Sequence, residues 1–191
     1  MTAPRVVVLA GPNGAGKTTI SRSLLRDELA IGNFVNADTI ARGLAGFDPE
    51  SAALSAGRVM LQRLRELAAA RADFAFETNL ASHFLAPWLL DLKQSGYRVL
   101  VAFMWLPTAD LAKARVRQRV QEGGHFVPSD VVERRHARGL ANLRATFLPM
   151  ADAVWLFDAS CNPPRLVASG DSGSLTAHDP TVLPQILGTT R

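Results

Sequence analysis

The octapeptide Gly11-Pro-Asn-Gly-Ala-Gly-Lys-Thr18 constrains this chain more than any other feature, because it fits G-x-x-x-x-G-K-[ST]. An apolar run, Arg5–Ala10, leads into it, and a helical pattern over Lys17–Glu28 leads out. Strand, glycine loop and helix are the context the motif needs. The glycines let backbone N–H groups turn inward around phosphate oxygens, and the following helix aims its positive end at the same anion. Lys17 is expected to reach the β- and γ-phosphates, and the Thr18 hydroxyl to hold Mg²⁺. Gly11, Pro12, Asn13, Gly14, Ala15, Gly16, Lys17, Thr18 and Thr19 therefore form the expected ATP site. The motif leaves open what happens to the γ-phosphate: hydrolysis, switching or transfer.

Short apolar runs alternate with amphipathic stretches along the rest of the chain, which predicts an α/β fold of the P-loop NTPase and kinase type. The pattern predicts a mainly parallel five-stranded sheet with strands at Arg5–Ala10, Asn33–Asn36, Phe74–Glu77, Arg98–Leu106 and Ala153–Phe157. Helices are expected over Lys17–Glu28, Pro49–Arg71, Ser82–Ser95, Thr108–Gln121 and Ser129–Phe147. Asp48 suits the N-cap before Pro49, Ser129 the N-cap after Pro128, and Gly96 a helix C-terminus. The tail from about residue 158 onward reads as a short hairpin turning at Gly170–Gly173. At 191 residues, 48% hydrophobic and 20% charged, the chain reads as one ordinary domain.

The same composition narrows location and partners. No apolar run reaches the ~18 residues that span a bilayer, so no membrane association is expected. The start reads as a strand rather than a signal peptide, and the lone Cys161 excludes an internal disulfide, so a reducing cytoplasm is expected. A net charge of +4 without a dense basic run argues against a nucleic-acid partner. Cys161 reads as an inert thiol, Trp88, Trp105 and Trp155 as core, and the histidines lack zinc-ligand spacing.

Three stretches bear on the γ-phosphate. The sequence "LSAGR" at Leu54–Arg58 nearly matches a transporter-ATPase signature. It lies too close to the phosphate loop, however, and reads better as part of a helix with Leu54, Met60, Leu61, Leu64 and Leu67 inward. No guanine-reading Asn-Lys-x-Asp occurs. Asp38, in "FVNADTIA", follows the second strand at the sheet edge where ligands sit. It suits either proton acceptance from an attacking hydroxyl or N-capping of the next helix. Glu77, Thr78 and Asn79 are delivered to the same edge, either to hold acceptor hydroxyls or to cap a helix; Glu77 also suits a water-mediated Mg²⁺ contact. Finally, residues 114–140 place Arg115 and Arg119 before Gly123-Gly124, and Arg134, Arg135 and Arg138 after it. That arrangement suits either a closing lid that excludes water or an exposed helical hairpin.

Together, "GPNGAGKTT", "NADTIARGL", "FETNLAS" and "GGHFVPSDVVERRHARGLANL" make the chain similar to the zeta-toxin family of P-loop kinases. The resemblance covers roughly residues 5–157. It implies an ATP- and Mg²⁺-dependent kinase that phosphorylates a hydroxyl of a uridine-diphosphate amino sugar. It also implies Lys17, Asp38, Arg119 and Arg135 as catalytic, and Asp38, Arg42, Glu77, Thr78 and Asn79 as the acceptor site. Arg119 matches the first lid cation that contacts ATP; His125 aligns with the second, which is either His125 itself or Arg134 or Arg135 from the next helix, with Arg135 preferred. A separate antitoxin protein is the implied partner. The alternative function is a partner-dependent ATPase or nucleotide switch.

Overall fold

A computed structural model describes residues 2–46, 51–124, 126–171 and 173–189. The first strand, β1 (Arg5–Ala10), is a run of branched apolar residues with no polar alternation, as befits a strand covered on both faces. Val6 and Val8 pack on one side and Val7 and Leu9 on the other, and all four are fully buried. Six further strands join it: β2 (Asn33–Val35), β3 (Phe74–Thr78), β4 (Arg98–Trp105), β5 (Ala153–Asp158), β6 (Arg165–Asp171) and β7 (Ser174–Ala177). Their spatial order is β2-β3-β1-β4-β5-β6-β7.

The first five strands are parallel, as the alternating pattern predicted. The C-terminal hairpin does not stand apart. Strand β6 pairs antiparallel with β5 and β7 with β6, so the sheet has seven strands rather than five. Apolar pattern locates strands, but it does not say which edge a hairpin will extend. Ser172, in the turn of this hairpin, lies outside the described residues.

Helices cover both faces: α1 (Lys17–Ser21), α2 (Ala37–Leu44), α3 (Ala53–Ala69), α4 (Ala86–Gln94), α5 (Ala109–Gln121), α6 (Ser129–Asn142), α7 (Leu148–Met150) and α8 (Leu183–Leu187). Two of the predicted continuous helices loosen midway. Arg22–Glu28 and Leu143–Phe147 are π-helical, a wider winding that periodicity does not announce. The expected cap pair Asp48-Pro49 falls outside the described residues. Ser129 is the first helical residue rather than a cap and makes no capping hydrogen bond. Gly96, at φ 92, follows α4 as expected.

Helix α3 also corrects a phase. Ala56, Met60, Leu64 and Leu67 are buried, whereas Leu54 is 81% exposed. Position 54 lies two residues from the buried stripe, about 200° around the helix, so its side chain points to solvent. No helix among the described residues is long and apolar enough to cross a membrane.

Candidate active site

Three parallel strands deliver the polar residues to one end of the sheet. Register pairs Leu9 with Glu77 and Ala10 with Thr78, so the last residues of β3 lie beside the start of the phosphate loop. Strand β2 ends opposite Phe76, and Asn36 and Asp38 follow at once. The carboxyl edge of a parallel sheet is where such folds hold ligands. Gly11 takes φ 143, and a Cβ there would collide with the Met104 carbonyl oxygen of β4, so the loop can leave β1 only through glycine.

Lys17 is buried, and its Nζ donates to the carbonyl oxygens of Gly11 at 2.8 Å and Pro12 at 3.0 Å. Glu77 Oε1 stands 3.6 Å from the same ammonium. The second oxygen, Oε2, accepts from Thr18 Oγ1 at 3.0 Å and from Asn36 Nδ2 at 2.7 Å. Burial holds the Lys17 pKa below its ordinary value; Glu77 and Asp38 oppose that shift, and Arg119 adds to it. Asn36 was not anticipated as a site residue. Its Oδ1 caps α2 by accepting from Thr39 N at 3.0 Å while its amide holds Glu77. The signal was present as an Asn three residues before Thr39. With Asn36 as the cap, Asp38 is free of that task and sits exposed in the first turn of α2.

A cavity of about 420 Å³ opens beside this cluster. Asn13, Lys17, Asp38, Arg42, Glu77, Thr78, Asn79 and Arg135 all reach it, so loop, both acidic candidates and two arginines share one space. The opposite wall is apolar: Ala53, Gly57, Met60 and Leu61 from α3, with Phe84 and Leu85 from the segment before α4. That wall was missed because its residues read simply as helix; Phe84 and Leu85 fell within the helix expected over Ser82–Ser95, which begins only at Ala86. Thr78 and Asn79 also shape their own loop, accepting from Leu80 N at 3.1 Å and Ala81 N at 2.9 Å.

The arginines separate into distinct settings. Arg135 is half-buried on the cavity wall; burial lowers its pKa and nearby Asp38 opposes that shift. Arg134 and Arg138 are exposed. Arg119 is half-buried on α5 and acts electrostatically on Lys17 without lining this cavity. Arg115, grouped by sequence with Arg119, is turned elsewhere and donates to the carbonyls of Ala159 at 2.6 Å and Ser160 at 2.9 Å. His125 lies outside the described residues. Helix α6 is fixed from within: His136 Nε2 lies 2.9 Å from Leu106 O, and Asn142 Nδ2 donates to Leu80 O at 2.6 Å.

Residues 6–146, with the loop and all of the cavity lining, match the family described as AAA domain. This chain belongs to the AAA domain family. One relative of this AAA domain is an uncharacterized protein of Haemophilus influenzae, 26% identical over 132 residues, which cover 69% of this chain and 92% of the relative. Among solved structures, a chain of the AvrRxo1-ORF1:AvrRxo1-ORF2 complex with sulphate ions superposes with a TM-score of 0.76 at 19% identity. The match covers 97% of this chain but only 64% of that one, so the AAA domain spans less than two thirds of it. The same complex with ATP gives a TM-score of 0.74. The PezAT toxin–antitoxin system of Streptococcus pneumoniae gives 0.67 at 17% identity, over 100% of this chain and 80% of that one. A gluconokinase of Sinorhizobium meliloti gives 0.53 at 14% identity, over 83% of this chain and 84% of that one. These likenesses establish the α/β fold.

The Thr18 and Glu77 oxygens also suit the hard cation that such folds use. Thr18 Oγ1 and Glu77 Oε2, joined by a hydrogen bond of 3.0 Å, are a hydroxyl and a carboxylate of the hard oxygen kind that Mg²⁺ takes. The residues present fit the ion.

Proposed function

We propose that the chain is an ATP-dependent phosphotransferase that moves the γ-phosphoryl group onto a hydroxyl of a small acceptor. The observation that carries this reading is the shared cavity, in which Asp38 and Arg135 face the same space as Lys17 of the phosphate loop. Hydrolysis or switching needs no second cavity beside the loop; transfer does. Asp38 takes the proton of the acceptor O–H as its oxygen attacks phosphorus, and the bond to the β-γ bridging oxygen breaks to release ADP. Lys17, Arg119 and Arg135 stabilise charge on the transferring group. Thr18, with Glu77 directly or through water, would hold Mg²⁺, which would supply charge neutralisation to the phosphates. Arg42, Thr78 and Asn79 orient the acceptor.

The zeta-toxin resemblance supports a uridine-diphosphate amino sugar as that acceptor. Two of the similar structures are complexes with a partner protein, which supports a separate antitoxin-like inhibitor here. Incubation with γ-labelled ATP and a panel of nucleotide sugars, sugars and nucleosides tests the reading, scored by phosphoryl gain on one acceptor. Asp38→Ala should abolish transfer while ATP still binds; undiminished transfer by that variant would overturn the mechanism. Growth arrest on expression of the wild type, but not of Asp38→Ala, tests the toxin reading.

A further inference from the structure

The cavity beside the phosphate loop is two-faced. Its polar side carries Arg42, Asp38 and Asn79, whereas its other side has no polar side chain: Ala53, Gly57, Met60, Leu61, Phe84 and Leu85. A compact polyol would leave its hydroxyls unpaired against that wall, at a cost for each one buried. Phe84 is the residue to explain. It is a large aromatic, 65% exposed, in a segment that is otherwise firmly held. Its N–H donates to Ser82 Oγ at 3.1 Å, and the preceding Leu80 is buried and anchored by Asn142. Its exposure therefore belongs to a fixed loop.

A separate narrow groove of about 70 Å³ lies at Phe84, lined also by Leu61, Leu64, Arg65, Leu85 and Trp88. Phe84, Leu61 and Leu85 line both spaces, so the groove adjoins the cavity at these three side chains. Trp88 is steadied from below by Phe74, with ring centroids 6.2 Å apart. The volume suits a small ring or a short alkyl chain, not a second polar sugar.

We propose that Phe84 is a specificity residue and that the acceptor is amphiphilic. Its hydroxylated, anionic head faces Asp38 and Arg42, and a small apolar group seats on Phe84 in the groove. This rests on the reading of the cavity as an acceptor site, and it sets an amphiphilic acceptor in place of the nucleotide sugar that the family resemblance suggests. Compact polyols are selected against because they leave both the aromatic face and the groove wet.

Glucose 6-phosphate, its phenyl glycoside and its butyl glycoside share one head and differ only in the apolar group. Their affinities for the full-length chain are measured by calorimetry, with the non-hydrolysable analogue adenylyl imidodiphosphate and Mg²⁺ present. The phenyl or butyl probe should bind at least about tenfold more tightly than glucose 6-phosphate. Preference for phenyl identifies a ring as the natural group, and preference for butyl an alkyl chain. Phe84→Ala should reduce the preference to under about threefold. Substitution of so exposed a residue should leave folding intact, and the ratio between probes is insensitive to general loss of protein. Gly57→Val, which projects into open space at the apolar wall, should weaken the two glycosides more than the free sugar phosphate. Equal affinity of the three probes, no binding of any, or an unchanged ratio in Phe84→Ala overturns the inference. Probe preference without phosphoryl transfer to any acceptor would leave the inference standing and remove the kinase reading instead.

Discussion

Thr18 Oγ1 donates to Glu77 Oε2 across 3.0 Å, joining the first turn after the phosphate loop to the end of the neighbouring strand. The same carboxylate is the nearest counter-ion of buried Lys17, at 3.6 Å. Glu77→Ala strands that charge and leaves the Asn36 amide without its acceptor. Stability should fall by about 3 kcal/mol, the range for removing one partner of a buried pair. Urea unfolding measures it, and Glu77→Gln should lose less because the side chain keeps a carbonyl acceptor. A loss below about 0.5 kcal/mol for Glu77→Ala would show that water reaches Lys17 and does the work of the carboxylate.

Lys17 makes proton uptake a signature of nucleotide binding. Burial depresses its pKa in the folded chain, so the unfolded chain binds more protons between that depressed value and 10.5. Stability of the free protein should therefore rise with pH across this window, and Lys17→Met should flatten the rise. A bound triphosphate places negative charge near the ammonium and pushes the pKa back up. Calorimetry of the ATP analogue in two buffers of different ionisation enthalpy should show net proton uptake on the alkaline side. Release of protons there would contradict the placement of Lys17.

Arg135 and Asp38 share the cavity wall, one the proposed cation for the transferring group and the other the proposed proton acceptor. Arg135→Ala should lower kcat by about 10²–10³, the usual loss for one charge-stabilising donor. Arg135→Lys should recover only part of it, because a point charge does not reproduce the planar fork. Steady-state kinetics on the acceptor found by the panel is the measurement; an unchanged kcat would place Arg135 outside the chemistry.

Gly139 and Gly57 should respond in opposite directions to the same substitution. A Cβ on Gly139 would collide with the Asn79 carbonyl oxygen, whereas one on Gly57 meets nothing. Gly57→Ala should stabilise by about 0.5–1 kcal/mol through helix propensity. Gly139→Ala should destabilise by about 1–3 kcal/mol because α6 must back away from the β3 loop. Thermal unfolding of the two variants side by side decides it; equal signs would refute this packing.

The loop, the five parallel strands and most helices were legible because each rests on local pattern: apolar runs, glycine spacing and helical periodicity. What escaped depends on contacts between distant segments. Nothing in "LSAGR" tells that Leu54 points outward while Gly57 faces a cavity, since both phases of α3 carry apolar residues. Arg115 and Arg119 share a helix face on paper. The Ala159–Ser160 carbonyls claim the first and leave the second near Lys17. Asn36 was quoted in the sequence but passed over, because Asp38 looked like the cap. Phe84 escaped because it fell inside the helix expected over Ser82–Ser95, whereas the helix begins only at Ala86 and leaves the aromatic ring in the preceding turn.

The seating of Gly139 on Asn79 and the bond from Asn142 to Leu80 also set the mechanics of α6. Its C-terminal half is tied to the floor of the cavity, and in its other half Val132 is fully buried and Glu133 pairs with Lys113 of α5 at 3.1 Å. Arg135 lies between these anchors on the cavity wall. The backbone that carries this guanidinium is thus held from both ends, so its position is set by the fold before any ligand arrives.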